Sequence, residues 1–171
     1  MSTSACTYNL TYTLGCKDNV GGNETLVIRS FSASTVWSED ANGLITGATN
    51  STSPFYSIEA RQEQIEFNSE GTHSDTNGTN FWTPNVTFFL EKYQATVRNL
   101  VYALAINNSD VIVNDNNGKY FLIENAYITA SPTGTGKAWA DPNGSTITLQ
   151  SRSKTPPREV GATFYATLTI N

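Results

Sequence analysis

The sequence predicts a mainly-β fold with one flanking α-helix. Three observations carry that prediction. Most apolar residues fall in short runs or in period-2 alternation, bounded by Asn, Asp, Gly and Ser. A single stretch, Tyr93 to Leu104, carries apolar residues at helical spacing. Only 15% of the 171 residues are charged, so the polar remainder is mostly Thr, Asn and Ser. Thr supports strands, and Asn and Ser support turns.

The elements follow in order. The turn Asn19-Val20-Gly21-Gly22-Asn23 leads into Leu26-Val27-Ile28-Arg29-Ser30-Phe31, whose apolar run predicts a strand buried on both faces. Residues 32–54 are polar, with turn signals at Asp40-Ala41-Asn42-Gly43 and Thr46-Gly47 around Leu44 and Ile45. This predicts a long hairpin or arm, too long for an idle connection and therefore an assembly element. Trp37, Asp40, Leu44 and Ile45 are its candidate contact residues. Phe55 to Phe67 reads as a strand anchored by Ile58, Ile65 and Phe67, with Gln64 and Glu66 alternating against the last two. Ser69 to Asn80 reads as a polar loop. Phe81 to Leu90 resumes as strand, and Pro84 marks a strand start or a sheet edge.

Tyr93, Val97, Leu100, Val101 and Leu104 then form a helical stripe, predicting a helix over about residues 92–106 that Asn107-Asn108-Ser109 ends. Val111-Ile112-Val113 and Tyr120-Phe121-Leu122-Ile123 flank an Asn/Gly turn at 114–118, a hairpin signal. Tyr127-Ile128-Thr129 continues as strand, Ala130 to Gly144 reads as a small-residue loop, and Thr146-Ile147-Thr148-Leu149 as an alternating strand. Pro156-Pro157 breaks the chain. Phe164, Ala166, Leu168 and Ile170 alternate as a final strand.

By length, residues 1–171 form one domain, with an N-terminal segment over 1–24 and the arm at 32–54. A chain of this size buries about two-thirds of its unfolded surface and needs neither metal nor disulfide for a core. Aromatics at 11% argue against disorder. The net charge is −5 and the pI about 4.8, with no basic patch of the kind that grips nucleic acid. An acidic surface repels phosphate and suits a protein that DNA slides past, although mild acidity is common among soluble proteins. Cys6 and Cys16 are either a disulfide closing a short loop or two free thiols of a cytoplasmic protein. Their spacing is no zinc motif, and the single histidine, His73, lies far away in a polar stretch. No secretory signal and no membrane-spanning apolar run is visible.

The sequence offers no catalytic, cofactor or metal constellation. Asp18, Asp40, Asp75, Asp110, Asp115 and Asp141 all read as turn residues. Glu63 and Glu66, three apart in a strand, point to opposite faces and do not converge as an acid/base pair. A Ser/His/Asp triad would depend on His73, with no nucleophile-elbow motif nearby. Thr133-Gly134-Thr135-Gly136-Lys137 resembles a phosphate loop only superficially, because Ala138 follows the lysine and no helix opens there. Asp115-Asn116-Asn117-Gly118 lacks the later Glu of a calcium loop and is explained by the hairpin. Trp37, Trp82 and Trp139 each lie in or beside a polar loop, where they form a sugar-stacking platform, anchor loops or fill subunit interfaces.

Five segments together resemble one family. Cys16-Lys17-Asp18-Asn19-Val20-Gly21-Gly22 resembles a "CKD-x-VGG" opening, and Ala95-Thr96-Val97-Arg98-Asn99 an "AATRN" helix segment. Val111 to Leu122 resembles a "VIV-x-DNNG-x-YFL" hairpin. Thr133 to Leu149 resembles "TGTAxGDxNGYTLTL", and Pro156-Pro157-Arg158-Glu159-Val160 sits where "EPAxxV" stands. These are motifs of the major tail (tail tube) proteins of tailed phages and prophages of the Bacteroidetes, and here they occur in the same order. Ala140 and Ser145 depart from that pattern, and residues 32–54 match none of it.

The resemblance implies a tail-tube-type β-sandwich or partial barrel with a helix at its flank. It implies a non-enzymatic virion protein, without cofactor, assembled in the host bacterial cytoplasm into stacked, hexameric rings of the virion tail. Such a tube conducts double-stranded DNA without binding it specifically. Its partners would be further copies of itself and the terminator, tape-measure and distal-tail proteins, with no membrane. Glu59, Glu63, Glu66 and Glu70 are the candidate lumen-facing carboxylates. The competing expectations are a carbohydrate-binding β-sandwich module and the inner-tube protein of a contractile injection system.

Overall fold

A computed structural model describes residues 12–14, 16–51 and 53–171. The described residues form eleven strands and two helices: β1 (Asn23–Ser30), β2 (Val36–Glu39), β3 (Ile45–Thr49), β4 (Tyr56–Ile58), β5 (Ile65–Ser74), β6 (Thr79–Glu91), α1 (Ala95–Ile106), β7 (Ser109–Asp115), β8 (Tyr120–Ala130), β9 (Thr133–Gly134), β10 (Gly144–Gln150), β11 (Arg158–Val160) and α2 (Ala162–Tyr165). The fold is mainly β.

The strands form one continuous open path that divides into two faces at β8. The first half of β8 pairs with β7 and β11, and its second half pairs with β10. The switch falls where the β7–β8 register shifts, at Asn125, which holds φ +53°. A bulge there bends the strand and redirects its hydrogen bonds. One sheet therefore runs β2-β3-β11-β8-β7-β1-β4 and the other β8-β10-β6-β5, with β9 on the start of β10.

The main core lies between these sheets. Leu26 and Ile28 of β1, Val111 and Val113 of β7, Val86, Phe88 and Leu90 of β6, and Ile147 and Leu149 of β10 meet there. The α1 stripe caps this core through Val97 and Leu104, with Leu100 and Val101 half-buried beside them. Tyr93 precedes α1 and is exposed, because the helix begins at Ala95 rather than near residue 92. A second core covers the opposite face of β1 and β7, where Val27, Ile112, Leu122, Val160, Trp37, Ile45 and Phe55 pack under Phe164, Tyr165 and Leu168. Burial of β1 on both faces agrees with its unbroken apolar run.

Several sequence readings are corrected. Phe55–Phe67 is two strands, because Arg61–Gln64 form a turn in which Glu63 takes φ +65°. Ser69–Asn80 is a β-ribbon rather than a loop. β5 and β6 stay paired out to Ser74 and Thr79, and neither face of that tip is covered, so it lacks the apolar alternation that marks a strand. Pro84 lies inside β6, which has a neighbour on each side. It is tolerated because the lost N–H falls at the end of β10, where Ser151 N–H still donates to Pro84 O at 3.0 Å. The final segment is α2 and a turn, with only Ile170 bridging to Phe55. Phe164 and Leu168 also fit helical spacing, and the second core uses that spacing.

Candidate functional site

Two surfaces concentrate the residues of interest. The first is the outer face of the β10-β6-β5 sheet. Ile65 and Phe67 point inward, so Glu66, Asn68 and Glu70 point outward from β5. Opposite them on β6 stand Thr87, Asn85 and Thr83. Next on β10 come Thr148 and Gln150, with Thr146 opposite the half-buried Phe89. Side-chain bonds knit the rows together: Thr87 and Thr148 hydroxyls lie 3.2 Å apart, and Tyr127 Oη donates to Gln150 Oε1 at 3.0 Å. Within the named strands these rows carry two carboxylates and no lysine or arginine, but the β10–β6 pairing continues through Ser151–Pro84 and Ser153–Trp82, which sets exposed Arg152 opposite Thr83 at the margin of the same face. β5 is the terminal strand of its sheet, so its outer edge has no strand partner among the described residues.

Of the four predicted carboxylates, Glu66 and Glu70 thus share this face. Glu59 and Glu63 lie in the exposed β4–β5 connection. Beside them Arg61 pairs with Glu91, and that contact holds the Arg61 guanidinium above its ordinary range.

The second surface is the hairpin β2–β3. Asp40 caps its turn by accepting N–H bonds from Asn42 at 2.8 Å and Leu44 at 3.0 Å, with Gly43 at φ +82°. The hairpin does not stand out from the body. Trp37 is 9% exposed with its ring edge-on to Phe164, and Ile45 is 0% exposed. β3 pairs with β11 at Ile45–Val160. Trp37 and Ile45 are therefore core side chains of their own chain. Asp40 alone of the four is exposed, with Leu44 half-buried behind it.

Below the hairpin lies a feature that the sequence reading missed. Arg29 and Asp110 form an ion pair with both side chains 1% exposed. Arg29 Nε and Nη2 donate to Asp110 Oδ2 at 3.0 and 2.8 Å, and Asn125 N–H donates to Oδ1 at 3.1 Å. The guanidinium also donates to Ser51 and Thr35 and lies about 5 Å from the rings of Trp37 and Phe55. Burial pushes the Asp110 carboxyl up, against the pull of the Asn125 N–H and of Arg29. Asp110 is thus a strand residue, not a turn residue. The signal in the sequence was a lone arginine inside an apolar strand, which burial obliges to find a partner.

Two of the segments that carry the resemblance meet in space. Asn117 Nδ2 donates to Val20 O at 2.8 Å and its Oδ1 accepts Val20 N–H at 2.9 Å, while Asn116 Nδ2 donates to Gly21 O at 2.7 Å. The Asp115–Gly118 turn therefore clamps the Asn19–Gly22 segment. Its own shape is set by Asp115 Oδ1, which accepts Asn117 N–H at 3.0 Å and Lys119 N–H at 2.7 Å.

The three tryptophans lie on separate elements: Trp37 in the core, Trp82 on β6 edge-on to His73, and Trp139 fully exposed in the loop before β10. A buried Trp37 has no face to offer a sugar. Among the described residues no cluster of three or more His, Cys, Asp or Glu is placed to hold a metal, and no helix is long and apolar enough to cross a membrane. Cys16 is exposed, and Cys6 lies outside the described residues. No protein family's model matches the chain, and no curated protein matches it.

Proposed function

We propose that this chain is a structural subunit of a phage-type tail tube, assembling with copies of itself into stacked rings around a channel for double-stranded DNA. The observation that carries the reading is the outer face of the β10-β6-β5 sheet. A DNA conduit needs a polar wall that offers phosphate few cations, because each lysine or arginine contact adds salt-dependent affinity. The rows Glu66-Asn68-Glu70, Thr83-Asn85-Thr87 and Thr148-Gln150 carry two carboxylates among neutral polar side chains, with the single cation Arg152 at the margin opposite Thr83. The edge of β5 supports the reading too, since a ten-residue edge with no strand partner among the described residues is a liability that ring closure removes. The ordered series of motifs, two of which clamp each other, supports it independently.

In this reading the chain performs no catalysis. Glu66 and Glu70 line the channel, and the polar tip of the β5–β6 ribbon, rather than residues 32–54, is the projecting arm. Negative-stain microscopy of the purified protein tests it. Rings or tubes about 100 Å across are expected, the scale of six such domains around a DNA-wide channel. A monodisperse monomer at every concentration overturns the reading.

A further inference from the structure

Four Asn-Gly pairs occur in the chain: Asn42-Gly43, Asn77-Gly78, Asn117-Gly118 and Asn143-Gly144. Such a pair carries chemistry of its own. Glycine has no Cβ to shield its backbone nitrogen. Once its proton is lost to solvent base, that nitrogen can attack Cγ of the preceding asparagine. The bond from nitrogen to Cγ forms, the Cγ–Nδ2 bond breaks, and Nδ2 departs as ammonia. The cyclic imide left behind takes up one water at either carbonyl. It opens to aspartate, or to isoaspartate with the backbone rerouted through Cβ and Cγ. Water is consumed and ammonia released, and no oxidant, metal or enzyme takes part. Two restraints oppose the attack: a hydrogen bond on the glycine N–H, and bonds that hold the side-chain amide away from it.

The fold puts the four pairs in different environments. Asn117 is locked onto Val20, whose N–H reaches Oδ1 at 2.9 Å and whose O accepts from Nδ2 at 2.8 Å. The Gly118 N–H is engaged as well, with Asp115 O at 3.0 Å. Asn143 Oδ1 accepts the Tyr93 N–H at 3.1 Å, and Gly144 is buried between β6 and β9. At Asn42 the Gly43 N–H donates to Asp40 O at 3.1 Å.

Asn77-Gly78 has neither restraint. It lies in the exposed turn 75–78 at the tip of the β5–β6 ribbon, beyond the last strand pair, Ser74–Thr79. The Asn77 N–H reaches only Ser74 Oγ, at 3.4 Å. Among the described residues neither the Asn77 side-chain amide nor the Gly78 N–H has a hydrogen-bond partner. Nothing lies within 4 Å of the place a Cβ would take on Gly78. A two-stranded tip wet on both faces also opens easily, so the nitrogen can swing toward Cγ while the body stays folded.

We propose that Asn77 is a site of spontaneous deamidation, converting to aspartate and isoaspartate while the fold protects the other three Asn-Gly pairs. Conversion adds a carboxylate to the tip that already carries Asp75, and isoaspartate lengthens the turn by one backbone atom. The inference holds whether or not the chain assembles. In the tube reading, where the ribbon is the projecting arm, the new charge falls on a contact between copies.

Peptide mapping of the full-length protein tests it, after incubation at mildly alkaline pH below the concentration at which the chain assembles. Digestion at acidic pH stops the reaction. The peptide holding Asn77 is expected to convert first, read as the mass change from amide to carboxyl. Each hydrogen bond that must open beforehand slows conversion about 2–10-fold. Asn42 is therefore expected about 2–10-fold behind Asn77, and Asn117 and Asn143 at least about tenfold behind. In urea the four rates should converge, because the differences belong to the fold. Asn77→Ser should remove the acidic species that grows first in isoelectric focusing and leave far-UV circular dichroism unchanged. Conversion at Asn42, Asn117 or Asn143 that matches or outruns Asn77 in the folded protein overturns the proposal. So does an Asn77 that stays intact when folded yet converts in urea. Microscopy decides the tube reading separately.

Discussion

Removing the carboxylate of the buried pair, by Asp110→Ala, should destabilise this protein more than any comparable surface change. In the folded chain Arg29 is 1% exposed, and its charge is answered by one carboxylate alone, at 2.8 and 3.0 Å. Without Asp110 the guanidinium keeps only neutral hydroxyl acceptors, Ser51 and Thr35, and the two aromatic faces. The Asn125 N–H loses its acceptor as well. Breaking a buried pair from one side costs about 3–5 kcal/mol. In a chain of this length each kcal/mol lowers Tm by about 2–4 °C, so a fall of roughly 6–20 °C is expected. The double variant Arg29→Met/Asp110→Leu removes both charges together. It should recover all but about 1–3 kcal/mol, the loss left by the unanswered Asn125 N–H and the two hydroxyls. Urea unfolding of wild type, Arg29→Met, Asp110→Leu and the double variant, below the concentration at which the chain assembles, gives the coupling energy directly. A cost under about 1 kcal/mol for Asp110→Ala, or a double variant equal to the sum of the singles, would refute the reasoning.

Three further outcomes follow from the same geometry. Gly144→Ala would place a Cβ 2.0 Å from Leu90 O and 2.8 Å from the Phe89 ring, against backbone that cannot yield cheaply. A loss of about 1–3 kcal/mol is expected, and a Tm within about 2 °C of wild type would contradict it. The Asp141 carboxyl is held below its ordinary value of 3.8 by the N–H groups of Ala138 and Lys137. A depressed pKa lends stability that is complete above the unfolded value and lost as pH falls through the folded one. Amide-exchange protection at Lys137 and Ala138 should therefore persist as pH falls to the ordinary carboxylate value of 3.8 and fade only below it, and Asp141→Ala should abolish it at neutral pH. Glu66→Lys/Glu70→Lys should leave the fold intact, because both side chains are exposed, while giving the assembled protein salt-dependent affinity for double-stranded DNA. Filter binding at low and high salt reads this directly, and no binding at low salt would remove those residues from a channel wall.

Much of the fold was legible where burial is one-sided or complete. β1, α1, the β7–β8 hairpin and β10 all appear in the sequence, because their apolar periods reflect faces that really are covered. The turns at Asp40 and Asp115 were legible for a local reason: each carboxylate bonds backbone N–H groups two and four residues ahead. The β5–β6 tip was not, because a two-stranded ribbon wet on both faces has the composition of a loop. The C-terminal segment was misread because Phe164, Ala166, Leu168 and Ile170 satisfy a period of two, while the packing surface accepts Phe164, Tyr165 and Leu168 as a helical turn. Of the candidate site, four carboxylates were expected on one face and only Glu66 and Glu70 share it, with Glu59 and Glu63 in the connection before β5, whereas Trp37 and Ile45 proved to be core.

The sequence by itself determined what depends on neighbours along the chain: the mainly-β class, the single long helix, the two Asx-built hairpins and the low, mostly uncharged polarity. Only the tertiary structure decided which strand faces what. It paired Arg29 with Asp110 across 81 residues, turned β8 from one sheet into the other at Asn125, and set three polar rows side by side into one face. These are relations between segments distant in sequence, fixed when two sheets close over a shared core, and no local period encodes them.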